Sequence, residues 1–232
     1  MFLKGLRFFC RFILKIIARV DIEGFEKIPD TGGVLIVSNH LGRMDAMLGV
    51  VLTDRDDIIL MIADKYEIYA FWHYLGNKLN AIWLNREEAD LRTLREVLRR
   101  LKAGGISGMA PEGTRSQTES LLPGKPGAAY LAARTGVPVI PVAMWGTEDR
   151  LVKAQLSRFK RLDIKIRIGD PFVLPPLKRK QREIMLQEGT EEMMCQIASM
   201  LPESYRGVYT THPRTLELLE QSEMISSAEI GD

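Results

Sequence analysis

Several kinds of residue are scarce in this chain of 232 residues, and each scarcity excludes something. The two cysteines, Cys10 and Cys195, lie far apart with no metal spacing, so neither a disulfide framework nor a thiolate metal site is expected. Such usage fits a reducing compartment. Histidine occurs three times, at His40, His73 and His212, which leaves few candidates for a base near neutral pH. Neither sign of charge dominates: 32 lysines and arginines face 30 acids, for a net charge of +2. No global field therefore points to nucleic acid. No uncharged apolar run approaches the roughly 18 residues of a membrane span. The length suits one substantial domain with a full core.

What is present begins with an amphipathic pattern. Residues 1–20 place Lys4, Arg7, Arg11, Lys15 and Arg19 at spacings of three and four. On a helix these five share an arc of roughly 120°, and phenylalanine, leucine and isoleucine fill the rest. That apolar arc is wider than one domain face normally buries. The expectation is a membrane-interface helix, with the basic stripe relieved of its self-repulsion by anionic lipid head groups. One alternative is a signal peptide, but charge every few residues and the lack of a following cleavage site speak against it. The other is a helix packed on its own domain with a solvated basic stripe.

Residues 21–219 alternate strand and helix patterns and show neither an internal repeat nor a dividing linker. Apolar runs suited to strands are 34–37, 58–62, 81–84, 106–110 and 137–143, while 163–168 alternates as a half-exposed strand should. Helical spacing of leucines covers 87–102 and ends in Gly104-Gly105, and 127–134 is alanine-rich and ends at Gly136. A further helical pattern occupies 177–202, with Met185, Met193 and Ile197 as core filler. The pattern predicts one α/β domain with a mixed, mostly buried sheet flanked by helices. Residues 220–232 lack an apolar pattern and are expected to be a disordered tail.

Chemistry concentrates in the segment NHLGRMD, Asn39 to Asp45. It follows the apolar run Val34–Val37, which delivers His40 to the edge of a sheet, where active sites collect. Positions i and i+5 lie about 140° apart on a helix, so His40 and Asp45 meet only if the chain turns between them. Gly42 suits that turn. Asp45 would then start the next helix and hold one imidazole nitrogen, leaving an oriented base for a hydroxyl. A surface histidine near an N-capping aspartate is the plainer alternative. Ser38 lies close by, but the G-x-S-x-G elbow of serine hydrolases is absent. Metal ligation by His40 and Asp45 lacks an evident third ligand.

About 70 residues later a short strand pattern leads into Pro111-Glu112-Gly113-Thr114-Arg115-Ser116. Here a backbone open at Gly113, a hydroxyl at Thr114 and the guanidinium of Arg115 suit a phosphate monoester. NHxxxxD followed at this distance by PEGTRS resembles the glycerolipid acyltransferase family, that of the 1-acyl-sn-glycerol-3-phosphate acyltransferases. Asn80–Arg86 is similar to that family's GxxFIDR block, and Val137–Val142 to its VPVIPV strand, in the same order. The similarity spans roughly residues 20 to 172. Asn80 stands where a glycine is usual, and Asn85 where an aspartate is common.

The resemblance implies an O-acyltransferase that moves a fatty acyl group from a thioester to the free hydroxyl of lysophosphatidic acid. Its product would be phosphatidic acid. His40 would be the base and Asp45 its orienting partner. Arg115 would anchor the acceptor phosphate, with Glu112 holding that arginine or a substrate hydroxyl. Arg86 and Lys125 could add charge to the same site; alternatively Asn85 simply caps a helix that Arg86 begins, and Lys125 meets solvent. Backbone N–H groups or Asn39 would stabilise the oxyanion. No cofactor or metal is expected; acyl-CoA or acyl-carrier protein would be the cosubstrate. Location is expected to be peripheral, on the cytoplasmic face of the cell membrane. The alternatives are another acceptor, such as lyso-ornithine lipid, lysophospholipid or glycerol-3-phosphate, or a membrane-binding module without catalysis. A hydrolase that uses the same base on water is a third.

Overall fold

The computed structural model describes residues 2–51, 53–84 and 91–229. The strands among them are β1 (Ala18–Glu23), β2 (Val34–Ser38), β3 (Ile58–Ile59), β4 (Met61–Ala63), β5 (Ile82–Leu84), β6 (Ile106–Met109), β7 (Val139–Trp145) and β8 (Leu162–Ile168). The α-helices are α1 (Phe2–Ile17), α2 (Met44–Val51), α3 (Ala70–Lys78), α4 (Leu91–Lys102), α5 (Gly127–Thr135), α6 (Asp149–Leu156), α7 (Arg182–Met200) and α8 (Pro213–Glu229).

Six strands form the main sheet in the order β1-β8-β7-β2-β6-β3, and β4 and β5 pair in a separate parallel ribbon. Every pairing in the main sheet is parallel except that of β7 with β8. The result is a mixed α/β domain with a mostly parallel sheet between helices. Strand faces follow the period of two. Leu35 and Val37 of β2 pack with Val97 and Leu101 of α4, Leu131 of α5 and Met193 and Ile197 of α7 on one side. Val34 joins Leu14 of α1, Leu48 of α2 and Ile140 and Val142 of β7 on the other. The central strand β7 is buried through its first six residues, as parallel strands covered on both faces should be. β8 buries Leu162, Ile164, Ile166 and Ile168 and turns Asp163, Lys165 and Arg167 away from that core.

Two expectations about the chain ends need correction. The first helix ends at Ile17 rather than at residue 20, because residues 18–23 enter the sheet as β1 beside β8. The stretch from residue 220 is not an irregular tail as far as it is described: α8 runs to Glu229. Its anchor lies at its start, where Arg214 grips Glu192 of α7 with two bonds, Nε to Oε2 at 2.8 Å and Nη2 to Oε1 at 2.9 Å. Tertiary pairing supplies what the weak apolar pattern of this segment does not.

The basic stripe of α1 also departs from expectation. Arg7 is 3% exposed and faces the protein. Its guanidinium donates to the carbonyls of Val50, Arg55 and Asp54, and to Asp56 Oδ1 at 3.3 Å. Arg11 donates to Val51 O at 2.9 Å and pairs with Asp54 at 2.8 Å, and Lys4 lies 3.6 Å from Asp56. Three of the five cations therefore serve the C-terminal end of α2 and the loop after it, where free carbonyls favour positive charge. Lys15 and Arg19 remain exposed. The outward face is apolar instead: Phe2, Phe8, Phe9, Phe12 and Ile16 are all exposed, Phe8 to 75%.

Candidate active site

The C-terminal ends of three neighbouring parallel strands, β6, β2 and β7, meet at one edge of the sheet, where such sheets bind ligands. β2 runs out through Asn39 and His40, β6 through Pro111 and Glu112, and β7 through Gly146 and Thr147 into α6. The pairing of β2 with β6 accounts for the meeting of two blocks that lie 72 residues apart. His40 N–H donates to Glu112 Oε1 at 3.0 Å, and Ser116 N–H donates to His40 O at 2.8 Å.

His40 and Asp45 meet as the spacing requires. His40 Nδ1 lies 2.7 Å from Asp45 Oδ2, and the same oxygen accepts the Leu41 and Gly42 N–H groups at 2.7 and 3.0 Å. Asp45 is buried in the first turn of α2, and its carboxylate folds the loop back on itself. The imidazole side chain keeps 20% of its surface exposed. With Nδ1 engaged, Nε2 is the nitrogen left to exchange a proton with a ligand.

Gly42 sits at the bend between His40 and Asp45, as expected, and close packing adds a second reason for glycine there. It has no positive φ; a Cβ there would stand 1.9 Å from Thr147 O. Close approach to the end of β7 requires glycine at this place. Glu112 differs from expectation. It is 2% exposed and accepts Leu122 N–H at 2.9 Å as well as that of His40. It therefore clamps two loops and does not hold Arg115. Burial pushes its carboxyl above the ordinary range, and those two backbone bonds pull part of the way back.

Arg115 is paired instead with Asp149 of α6, Nη1 to Oδ2 at 2.7 Å. Asp149 Oδ1 accepts Arg43 N–H at 2.9 Å, and Arg43 Nε lies 3.8 Å from Oδ2. Arg43 and Asp149 escaped the sequence reading. Arg43 lies inside the histidine block, where its charge was a signal, whereas Asp149 could be found only once β7 and α6 were placed. Gly113 has φ +71, and the Lys125 side chain lies across it: a Cβ there would sit 3.2 Å from Nζ. Lys125 and Thr114 are exposed. Arg86 and Asn85 lie outside the described residues. Asn39 is not offered to an oxyanion. It is 1% exposed, its Nδ2 donates to Met144 O at 2.7 Å, and its Oδ1 accepts Met144 N–H at 2.9 Å.

Asn80, which replaces the usual glycine, has φ 49. Asparagine is among the few residues that tolerate this left-handed backbone. Arg100 holds it there, donating to Asn80 O at 2.6 Å and to Oδ1 at 3.2 Å.

Known proteins resemble this chain in sequence and in fold. The sequence profile of the Acyltransferase family matches residues 19–145. The 1-acyl-sn-glycerol-3-phosphate acyltransferase alpha of Mus musculus is 32% identical over 142 residues, covering 56% of this chain and 47% of the mouse protein. The 1-acyl-sn-glycerol-3-phosphate acyltransferase of Bacillus subtilis is 28% identical over 172 residues, covering 71% of this chain and 81% of its own. The chain spans about half the length of the mouse protein and of the Borreliella burgdorferi relative. Among solved structures, the 1-acyl-sn-glycerophosphate (LPA) acyltransferase of Thermotoga maritima superposes with a TM-score of 0.63 at 26% identity, over 82% of this chain and 79% of that one. The profile match runs through residues 19–145, more than half of the sequence: this chain belongs to the acyltransferase family.

Proposed function

We propose that the protein transfers a fatty acyl group from acyl-CoA or acyl-carrier protein to the free hydroxyl of lysophosphatidic acid, giving phosphatidic acid. The observation that carries the reading is the 2.7 Å contact of His40 Nδ1 with Asp45 Oδ2 beside the cations Arg43, Arg115 and Lys125. His40 Nε2 takes the proton as the acceptor oxygen attacks the thioester carbon. Collapse of the tetrahedral intermediate breaks the carbon–sulfur bond, and the thiolate leaves and recovers the proton. Asp45 fixes the ring and stabilises the imidazolium formed on the way. Arg115 takes the acceptor phosphate, a fork suited to two oxygens, when that anion displaces Asp149.

Both the acceptor and the acyl product are lipids. The exposed Phe8, Phe9, Phe12 and Ile16 of α1 supply an apolar face to rest in a lipid surface. Among the described residues, no helix is long and apolar enough to cross a membrane. Peripheral attachment on the cytoplasmic face, where those donors are found, fits this arrangement. The relatives' names support lysophosphatidic acid as acceptor.

The test offers purified protein a labelled acyl thioester with a panel of lysolipids, and water alone. Lysophosphatidic acid should be the preferred acceptor, and free fatty acid should not accumulate without one. His40→Ala should lower turnover by about 10² to 10⁴-fold with the fold intact. Near-normal transfer by a folded His40→Ala protein would remove the assignment.

A further inference from the structure

The segment around α3 exposes a second group of large apolar side chains that the acyl-transfer reading does not use. Ile68 is 81% exposed and Phe71 66%, with Tyr69, Trp72 and Tyr74 exposed beside them. Within α3, only Gly76 is buried. A Cβ at Gly76 would lie 2.6 Å from the Trp83 ring, so the helix meets the protein closely at Gly76 and leaves its large side chains uncovered. Five bulky apolar groups within seven residues form a patch of the kind that marks an interaction site.

Three observations say what covers it. The patch joins the apolar face of α1: the rings of Phe2 and Tyr74 meet edge-on with centroids 6.3 Å apart. It mixes tyrosine and tryptophan with aliphatic groups, the chemistry that settles at the head-group level of a bilayer. It also has a cationic rim. Lys65 Nζ lies 5.4 Å from the Tyr66 ring centre and Lys78 Nζ 5.8 Å from that of Tyr74. Lysines set against rings in this way can reach toward lipid phosphates while the rings stay in the apolar layer.

We infer that α3 is a second lipid contact, so that the protein rests on the membrane through two helices joined at Phe2 and Tyr74. The inference rests on the reading of α1 as a lipid-facing helix. A single interfacial helix leaves the molecule free to roll about that helix axis, whereas a second contact fixes its orientation to the surface. Two weak anchors also convert marginal binding into stable attachment.

The experiment measures co-sedimentation of the full chain with vesicles of phosphatidylcholine and phosphatidylglycerol in equal parts. An α3 variant, Ile68→Ser with Phe71→Ser, and an α1 variant, Phe9→Ser with Phe12→Ser, are compared with the unchanged protein. Each should bind about tenfold to a hundredfold more weakly, given the apolar area lost from the layer. Loss in the α1 variant alone would overturn the two-helix arrangement and leave the α1 reading standing. Loss in the α3 variant alone would overturn both the arrangement and that reading. No loss in either would remove both as well. A melting temperature far below that of the parent marks a variant too damaged to use. In that case quenching of Trp72 by bromine-labelled lipid in the unchanged chain, with Trp72→Phe as control, decides. Quenching supports the contact, and its absence overturns it. A patch that mediates self-association without lipid, and leaves vesicle binding unchanged when altered, also overturns it.

Discussion

Asp149 holds two arginines at the mouth of the site, and that makes it a competitor of any phosphate that Arg115 binds. Both Arg115 and Asp149 are partly exposed, so the ion pair is worth only about 0.2–1 kcal/mol. Asp149→Asn keeps an oxygen for the Arg43 N–H but removes the competing charge. The apparent KM for a phosphate-bearing acceptor should therefore fall a few-fold, with that for the thioester donor unchanged. Steady-state kinetics with both substrates varied would show it. A rise in the acceptor KM would mean that Asp149 positions Arg115 and does not compete for it.

Among the elements, α1 carries two duties on opposite faces. Its inward face is an electrostatic plug on the end of α2, and its outward face is aromatic. Arg7→Met removes donors from buried carbonyls, each of which costs about 1–3 kcal/mol when left unpaired. Thermal unfolding should show a clear loss of stability in Arg7→Met and almost none in Arg19→Met, where the side chain is exposed. Equal melting temperatures for the two variants would show that the plug contributes nothing. Lysine and arginine at regular spacing on an amphipathic helix suggest lipid head groups, yet Arg7 is buried against the protein and the exposed Lys4 and Arg11 pair with Asp56 and Asp54. The sequence pattern gives the face they share but not its partner, because Asp54, Asp56 and the free carbonyls of α2 lie some 40 residues away.

For the molecule as a whole, carboxylates paired with arginine set the acid limb of stability. The Arg214 guanidinium holds the Glu192 carboxyl below its usual range against the opposing effect of burial. A folded pKa below the unfolded value stabilises the protein above about pH 4.3, and that stabilisation is lost as pH falls through the folded pKa. Arg55 does the same for Asp57. Glu112 runs the other way: its raised pKa favours the fold most below the ordinary glutamate range, and that contribution is lost as pH rises through the folded value. Glu192→Gln should lower stability at neutral pH by about 1 kcal/mol, since the pair is partly exposed, and should flatten the loss toward acid. Melting temperatures across an acid pH series test this; parallel curves for parent and variant would refute it.

The sequence by itself determined the elements whose pattern is local. The apolar runs of β2, β6 and β7, the glycine ends of α4 and α5 and the alternation of β8 follow from side-chain period and backbone freedom alone. The meeting of His40 with Asp45 was legible too, because five residues and a turn leave few other arrangements. Only the tertiary structure decided what lies beyond a few residues along the chain. It set Glu112 beneath the His40 loop, Asp149 against Arg115, Asn39 against Met144, β1 beside β8 and α8 on α7. In each case the partner arrives from a strand or helix distant in sequence. A polar side chain's role is fixed by the unpaired group it meets, and no periodicity records where that group will be.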